Sequence, residues 1–200
     1  MSPILGSIAN TSARGYGLLN FQSSATPIIG AYDALATVTV PSGGVSSITF
    51  SGIPSTYTHL QLRGFALETA GANGIYMVIR ANSDSGANYS SHSLYGNGSG
   101  ASANGGGSQT SFFTGPNSGP TSNSNPTVLV MDLLDYSNTS KYKTFRTLIG
   151  CDNNGSGSVD LASGSWQNTS AITSLTFLAY SQGVASTFAQ YSTFSLYGVR

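Results

Sequence analysis

Two stretches decide the fold: His59-Leu-Gln-Leu-Arg-Gly64 and Ile75-Tyr-Met-Val-Ile-Arg80. In the first, His59, Gln61 and Arg63 interleave with Leu60, Leu62 and Gly64; in the second, Ile75, Met77 and Ile79 interleave with Tyr76, Val78 and Arg80. Successive side chains on a strand point to opposite faces, so a period of two, rich in Thr, Val, Tyr and Phe, reads as a half-buried strand. The same alternation runs outward in both directions, and helical periodicity is almost absent. Strands are expected near 34–40, 45–52, 58–67, 74–81, 88–95, 109–114, 127–135, 142–151, 158–166, 172–180 and 190–199. Turn-forming clusters separate them: Pro41-Ser42-Gly43-Gly44, Ala70-Gly71-Ala72-Asn73-Gly74, Asp152-Asn153-Asn154-Gly155 and Gln182-Gly183. Many short strands at this spacing predict an all-β chain: an antiparallel jelly-roll-like β-sandwich over 34–200, preceded by an extended N-terminal arm over 1–33.

Two segments break the alternation. Residues 1–33 show neither period but carry small apolar clusters, with Ile4, Leu5, Ile8, Tyr16, Leu18 and Leu19 among them. A bare tail or linker needs no such clusters, so these residues are the candidate docking contacts of an arm that orders on another subunit. Residues 96–126 are almost all Gly, Ser, Asn, Thr and Pro around Ser111-Phe112-Phe113-Thr114. This reads as a wide surface excursion, in the form of a long hairpin, with the two phenylalanines tucked beneath it.

Composition narrows the function. Of 200 residues only 7% are charged and the formal net charge is zero, against a usual charged fraction of about 25%. A basic nucleic-acid footprint and a polybasic membrane patch are therefore not expected. No run of about 18 apolar residues exists to span a membrane. The opening Met1–Ala9 lacks a basic region and a long apolar run, so secretory export is not expected. The single cysteine, Cys151, can form no intrachain disulfide and reads as a small buried hydrophobe.

The reactive inventory is thin: His59, His92, seven carboxylates and Cys151. No G-x-S-x-G elbow is present. Asp132 and Asp135 lie three apart on one expected strand and point to opposite faces, so they do not form a glycosidase pair. The loops Asn82–Asn88 and Asp152–Gly157 hold one carboxylate each, too few for calcium, and read as Asx turns. No cofactor, metal or catalytic residue is assigned. The segments Tyr89–Gly96 and Tyr191–Gly198 echo one another and align His92 with Phe194, which places His92 on an inward face. His59 is expected to face solvent or a neighbour. Lys141, Lys143 and Arg146, the one basic cluster, read as a solvated or interfacial face.

Several stretches resemble tailed-bacteriophage virion proteins. They are Val45-Ser-Ser-Ile-Thr-Phe-Ser-Gly-Ile-Pro-Ser-Thr-Tyr-Thr-His-Leu-Gln-Leu-Arg63, Ala87-Asn-Tyr-Ser-Ser-His-Ser-Leu-Tyr-Gly-Asn-Gly98, Leu134-Asp-Tyr-Ser-Asn-Thr-Ser-Lys-Tyr-Lys-Thr-Phe-Arg146 and Phe188-Ala-Gln-Tyr-Ser-Thr-Phe-Ser-Leu-Tyr-Gly-Val-Arg200. The opening Pro3-Ile-Leu-Gly-Ser-Ile-Ala9 is similar to short leaders on such proteins. The resemblance implies a jelly-roll-like particle component assembled in the host cytoplasm, and brings no catalytic residues.

The function expected is therefore an external, arm-anchored, non-enzymatic subunit of a phage particle, associated as a homotrimer. In one version it is a tail fibre or receptor-binding protein whose loops meet host glycan, with Tyr95, Phe112, Phe113 and Trp166 as candidate aromatic contacts. In the other it is a capsid decoration protein clipped to the head. A free carbohydrate-binding module is a third reading. An almost uncharged surface suits all burial against neighbours, because few charges must be desolvated.

Overall fold

A computed structural model describes residues 31–67, 75–115, 125–181 and 184–200. The arm over 1–33, with Ile4, Leu5, Ile8, Tyr16, Leu18 and Leu19, lies outside the described residues up to residue 30. So do Glu68, the turns at 70–74 and 182–183, and residues 116–124 of the polar excursion.

Among the described residues the chain is all strand and loop. The strands are β1 (Tyr32–Thr39), β2 (Ser47–Phe50), β3 (His59–Ala66), β4 (Ile75–Ala81), β5 (Tyr89–Gly96), β6 (Ala101–Gln109) and β7 (Phe112–Phe113). They continue as β8 (Thr127–Leu134), β9 (Lys143–Asp152), β10 (Gly157–Trp166), β11 (Leu175–Ser181), β12 (Val184–Ala185) and β13 (Thr193–Val199). Residues 34–200 form one compact unit.

Two antiparallel sheets pack as a sandwich. The larger runs β1-β13-β3-β8-β9-β10-β5-β6; the smaller runs β12-β11-β4-β7, with β2 also on β11. From β1 to β5 the chain changes sheet at every step, the jelly-roll-like habit. The β8-β9-β10 meander, three consecutive strands in one sheet, interrupts it.

The inner faces supply the core by simple alternation. Leu60 and Leu62 of β3, Leu129, Met131 and Leu133 of β8, and Phe145 and Ile149 of β9 are buried against Met77 and Ile79 of β4 and Leu175 and Phe177 of β11. Aromatic rings tie the layers together. Phe112 of β7 stacks on Phe145 of β9 at 4.9 Å, and Phe177 of β11 meets Phe194 of β13 at 6.1 Å. Gly164 of β10 makes room for the first stack, since a Cβ there would stand 2.6 Å from the Phe112 ring.

Every expected strand has a counterpart among the described residues, although β7 is much shorter than 109–114. The polar excursion begins as a long hairpin: β6, Ala-Ser-Ala-Asn-Gly-Gly-Gly-Ser-Gln, pairs with β5. Nothing in its composition favours a strand. The pairing is set by the turn, where Asn97 Oδ1 accepts from the Ser99 and Gly100 amides and Gly98 takes φ 84°.

Candidate interaction surface

Part of the outer face of the larger sheet is apolar. In a sheet with one wet face the outward positions should alternate to polar side chains. Here the outward positions of five strands carry Phe65, Leu94, Leu148, Val128, Val159 and Leu161, each between 42% and 61% exposed.

Strand register sets these residues side by side. In one row, Gly96 of β5 lies opposite Val159 of β10, Val159 opposite Gly150 of β9, Gly150 opposite Val128 of β8, and Val128 opposite Phe65 of β3. The next row runs Ala103, Leu94, Leu161, Leu148, Val130, Arg63 across β6 to β3. From β5 to β8 the two rows make one apolar strip, which Phe65 extends in the first row and Arg63 ends in the second. Strands about 4.8 Å apart and rows about 7 Å apart give it on the order of 350 Å² of projected area, within the range where patches on monomers tend to be functional.

Polar rows border the strip. On one side run His92, Ser163, Arg146, Asp132, Gln61 and Tyr197. Within that row Gln61 donates to Asp132 at 2.9 Å, and Arg63 donates to Gln61 while its guanidinium lies over the Tyr197 ring at 5.1 Å. At the other side Gly98, Asp152 and Gly157 line a shallow open depression of about 270 Å³ that also includes Cys151. The Cys151 thiol is partly buried and its pKa is raised, chiefly by that burial. Asp152 holds an Asx turn by accepting from the Asn154 amide.

The candidate aromatics fall in three different places. Phe112 and Trp166 are core residues, 0% and 1% exposed, so neither is a surface contact. Trp166 is held inward by its Nε1–H, which donates to Asp84 at 2.7 Å. Tyr95 sits half-buried at the end of β5 on the inner face, in phase with buried Ser91 and Ser93. Phe113 faces outward from the smaller sheet, where it packs edge-on against Tyr76 at 4.5 Å; Tyr76 in turn stacks on Tyr180 at 6.2 Å. The structure thus does not bring the four together.

Other expectations are corrected. His92 is exposed, not inward: on β5 the inward phase belongs to Tyr89, Ser91 and Ser93, whereas on β13 it belongs to Phe194 and Leu196. The two echoing segments occupy opposite phases. Lys143 is fully buried, not solvated, because it shares its phase with Phe145; its ammonium donates to the Lys141 and Thr169 carbonyls. Burial pushes its pKa down. His59, by contrast, lies on the outward phase of β3 as expected, half-buried, and its Nδ1 accepts from the Asp135 amide at 3.0 Å.

Asp84, Asp132 and Asp135 are engaged structurally. Asp84 accepts from Trp166, Asn88 and the Gly86 amide, donors that hold its carboxyl below the usual range, Trp166 most of all. Three N–H groups aimed at one carboxylate are the environment of a structural anchor and not of a cation site. Asp132 and Asp135 do not share a strand, contrary to expectation: the strand ends at Leu134, and Asp135, at φ 51°, pairs with Lys141 at 2.6 Å. Among the described residues no group of three or more His, Cys, Asp or Glu could hold a metal.

The apolar strip was missed from sequence, although one signal for it existed. Val128-Leu-Val-Met-Asp-Leu-Leu134 is apolar in both phases but for Asp132, close to the mark of a strand covered on both faces. A scan against protein-family models finds no match, and searches of curated proteins and of solved structures find no similar chain.

Proposed function

We propose that this chain is a non-catalytic assembly subunit that works by packing the outer face of its larger sheet against a neighbouring protein. The observation that carries this is the strip formed by Leu94, Leu161, Leu148, Val128, Val159 and Phe65. Burying it removes apolar area from water with almost no charge to desolvate. The resemblance to tailed-phage virion proteins gives the setting: an external component of the particle. Decoration of a protein lattice suits a flat, extended contact face.

Host attachment is the second reading, and it has its own observation. Tyr76, Phe113 and Tyr180 form an aromatic group on the smaller sheet, and Phe113 borders an open depression of about 370 Å³ lined by Ser108, Gln109, Thr110 and Ser111. Aromatic faces beside hydroxyl and amide groups suit a glycan.

Immunogold electron microscopy of purified particles tests the first reading. The protein is expected on the particle exterior, and Leu161→Lys, which keeps the fold because Leu161 is exposed, is expected to be lost from particles. Particles that lack the protein, or that take up Leu161→Lys normally, overturn the assembly role. Retention of binding to host cell-wall glycan on removing the Phe113 side chain rules out the second.

A further inference from the structure

We propose that the partner at the apolar strip is a second copy of this chain, related by a two-fold axis that lies in the interface along the strip, between its two rows. This rests on the assembly reading above and names the occupant. The argument is self-complementarity, which a two-fold contact demands of a single patch.

Consider each strand about that axis. On β9 the outward residues are Arg146, Leu148, Gly150 and Asp152. The axis passes between Leu148 and Gly150, so the second copy's Leu148 meets Gly150, and its Arg146 meets Asp152. On β5 the outward residues His92, Leu94 and Gly96 behave alike: the second copy's Leu94 enters the hollow at Gly96. On β10 Val159 meets Leu161, and on β3 Phe65 meets the Arg63 guanidinium of the second copy, an arrangement suited to cation–π contact. Large falls on small twice, and Arg146 meets the opposite charge of Asp152. Sheets packed face to face hold their strands within about 30° of alignment, which this axis provides.

Area agrees. The strip with its two bordering rows spans about 28 Å along the strands and about 24 Å across them, near the roughly 800 Å² per partner of a standard interface. The strip alone covers about half of that.

The test is the mass of the purified full-length protein by sedimentation equilibrium, from micromolar to millimolar concentration, with far-UV circular dichroism as the fold control. A dimer is expected. Gly96→Leu fills the hollow while leaving its own sheet undisturbed, since the nearest atom to a Cβ there is 3.8 Å away. It is expected to weaken the dimer on the order of a hundredfold. Arg146→Asp is expected to weaken it at least about fivefold, and Arg146→Asp with Asp152→Arg to restore it. A monomer throughout, a trimer, or a dimer indifferent to Gly96→Leu and to the charge swap overturns the proposal. If the monomeric protein still needs Leu161 to enter particles, the assembly reading stands and only the choice of partner fails.

Discussion

The two outer faces of this sandwich solve the same problem in opposite ways. Both carry apolar side chains where solvent should select polar ones. On the smaller sheet Tyr76 packs on both Phe113 and Tyr180, and Val78, opposite Phe113 in register, is left only 5% exposed. On the larger sheet Leu94, Leu148 and Leu161 stand in a row, each more than half exposed. Aromatic rings can cover their neighbours within one chain; a row of aliphatic side chains on a flat sheet cannot. The smaller face is partly covered by its own rings, whereas the larger face leaves its aliphatic row exposed.

The largest effect separates either outer face from the layer between them. Phe112→Ala removes a ring stacked on Phe145 in the core, and should cost about 3–5 kcal/mol in denaturant titration. Leu161→Ala, on the strip, should cost under about 0.5 kcal/mol when measured on dissociated protein. A core-like cost for Leu161→Ala would mean that its own chain already covers the strip, and the contrast between the faces would collapse.

Next comes the anchor between the sheets. Asp84 lies on the crossover from β4 of the smaller sheet to β5 of the larger, and fastens Trp166. Asp84→Ala leaves the buried indole N–H without its acceptor and should cost about 2 kcal/mol. The pH dependence follows in sign. The folded carboxyl titrates below its ordinary value of 3.8, so its contribution is complete above about pH 4 and is lost as pH falls through the folded value. At the alkaline end the Tyr89 hydroxyl, buried and pushed up to about 12, stays protonated while the unfolded form ionises near 10. Stability should therefore fall between about pH 10 and 12, and Tyr89→Phe should flatten that limb. Unfolding midpoints across pH read both; an unchanged acid limb in Asp84→Ala would deny the anchor.

Most of the sandwich was legible because alternation is a local signal. Leu60 and Leu62, or Met77 and Ile79, announce a strand within six residues. What alternation leaves open is which phase turns inward, and the near-identical Tyr89–Gly96 and Tyr191–Gly198 turn opposite ways. His92 and Lys143 were misplaced for that reason: partners far along the chain decide the phase. β6 was seen only as part of a hairpin, since three consecutive glycines carry no preference for pairing and β5 supplies the template. The strip was invisible for a related reason. Leu94, Val128, Leu148 and Leu161 are far apart in sequence, and only register makes them neighbours.

A smaller effect sharpens the smaller face. If Tyr76 and Phe113 shield each other, a double-mutant cycle on Tyr76→Ala and Phe113→Ala should give a coupling of about 0.5–1.5 kcal/mol. No coupling would make these rings independent exposed groups, and the closed face would resemble the open one.

The smallest effect is the most telling for the open face. Val128→Thr exchanges a methyl for a hydroxyl at a position 53% exposed and directly opposite Phe65. Thr is as much at home in a strand as Val, and the hydroxyl reaches water, so the stability of dissociated protein should change by under about 0.5 kcal/mol. Yet the strip loses one apolar contact beside Phe65, so binding of a hydrophobic dye and self-association should both decline. An apolar residue to which folding is indifferent is one that the proposed contact with a second copy would use. If Val128→Thr instead destabilises the fold by more than about 1 kcal/mol with dye binding unchanged, Val128 serves its own domain, and the exposed row is ordinary sheet surface.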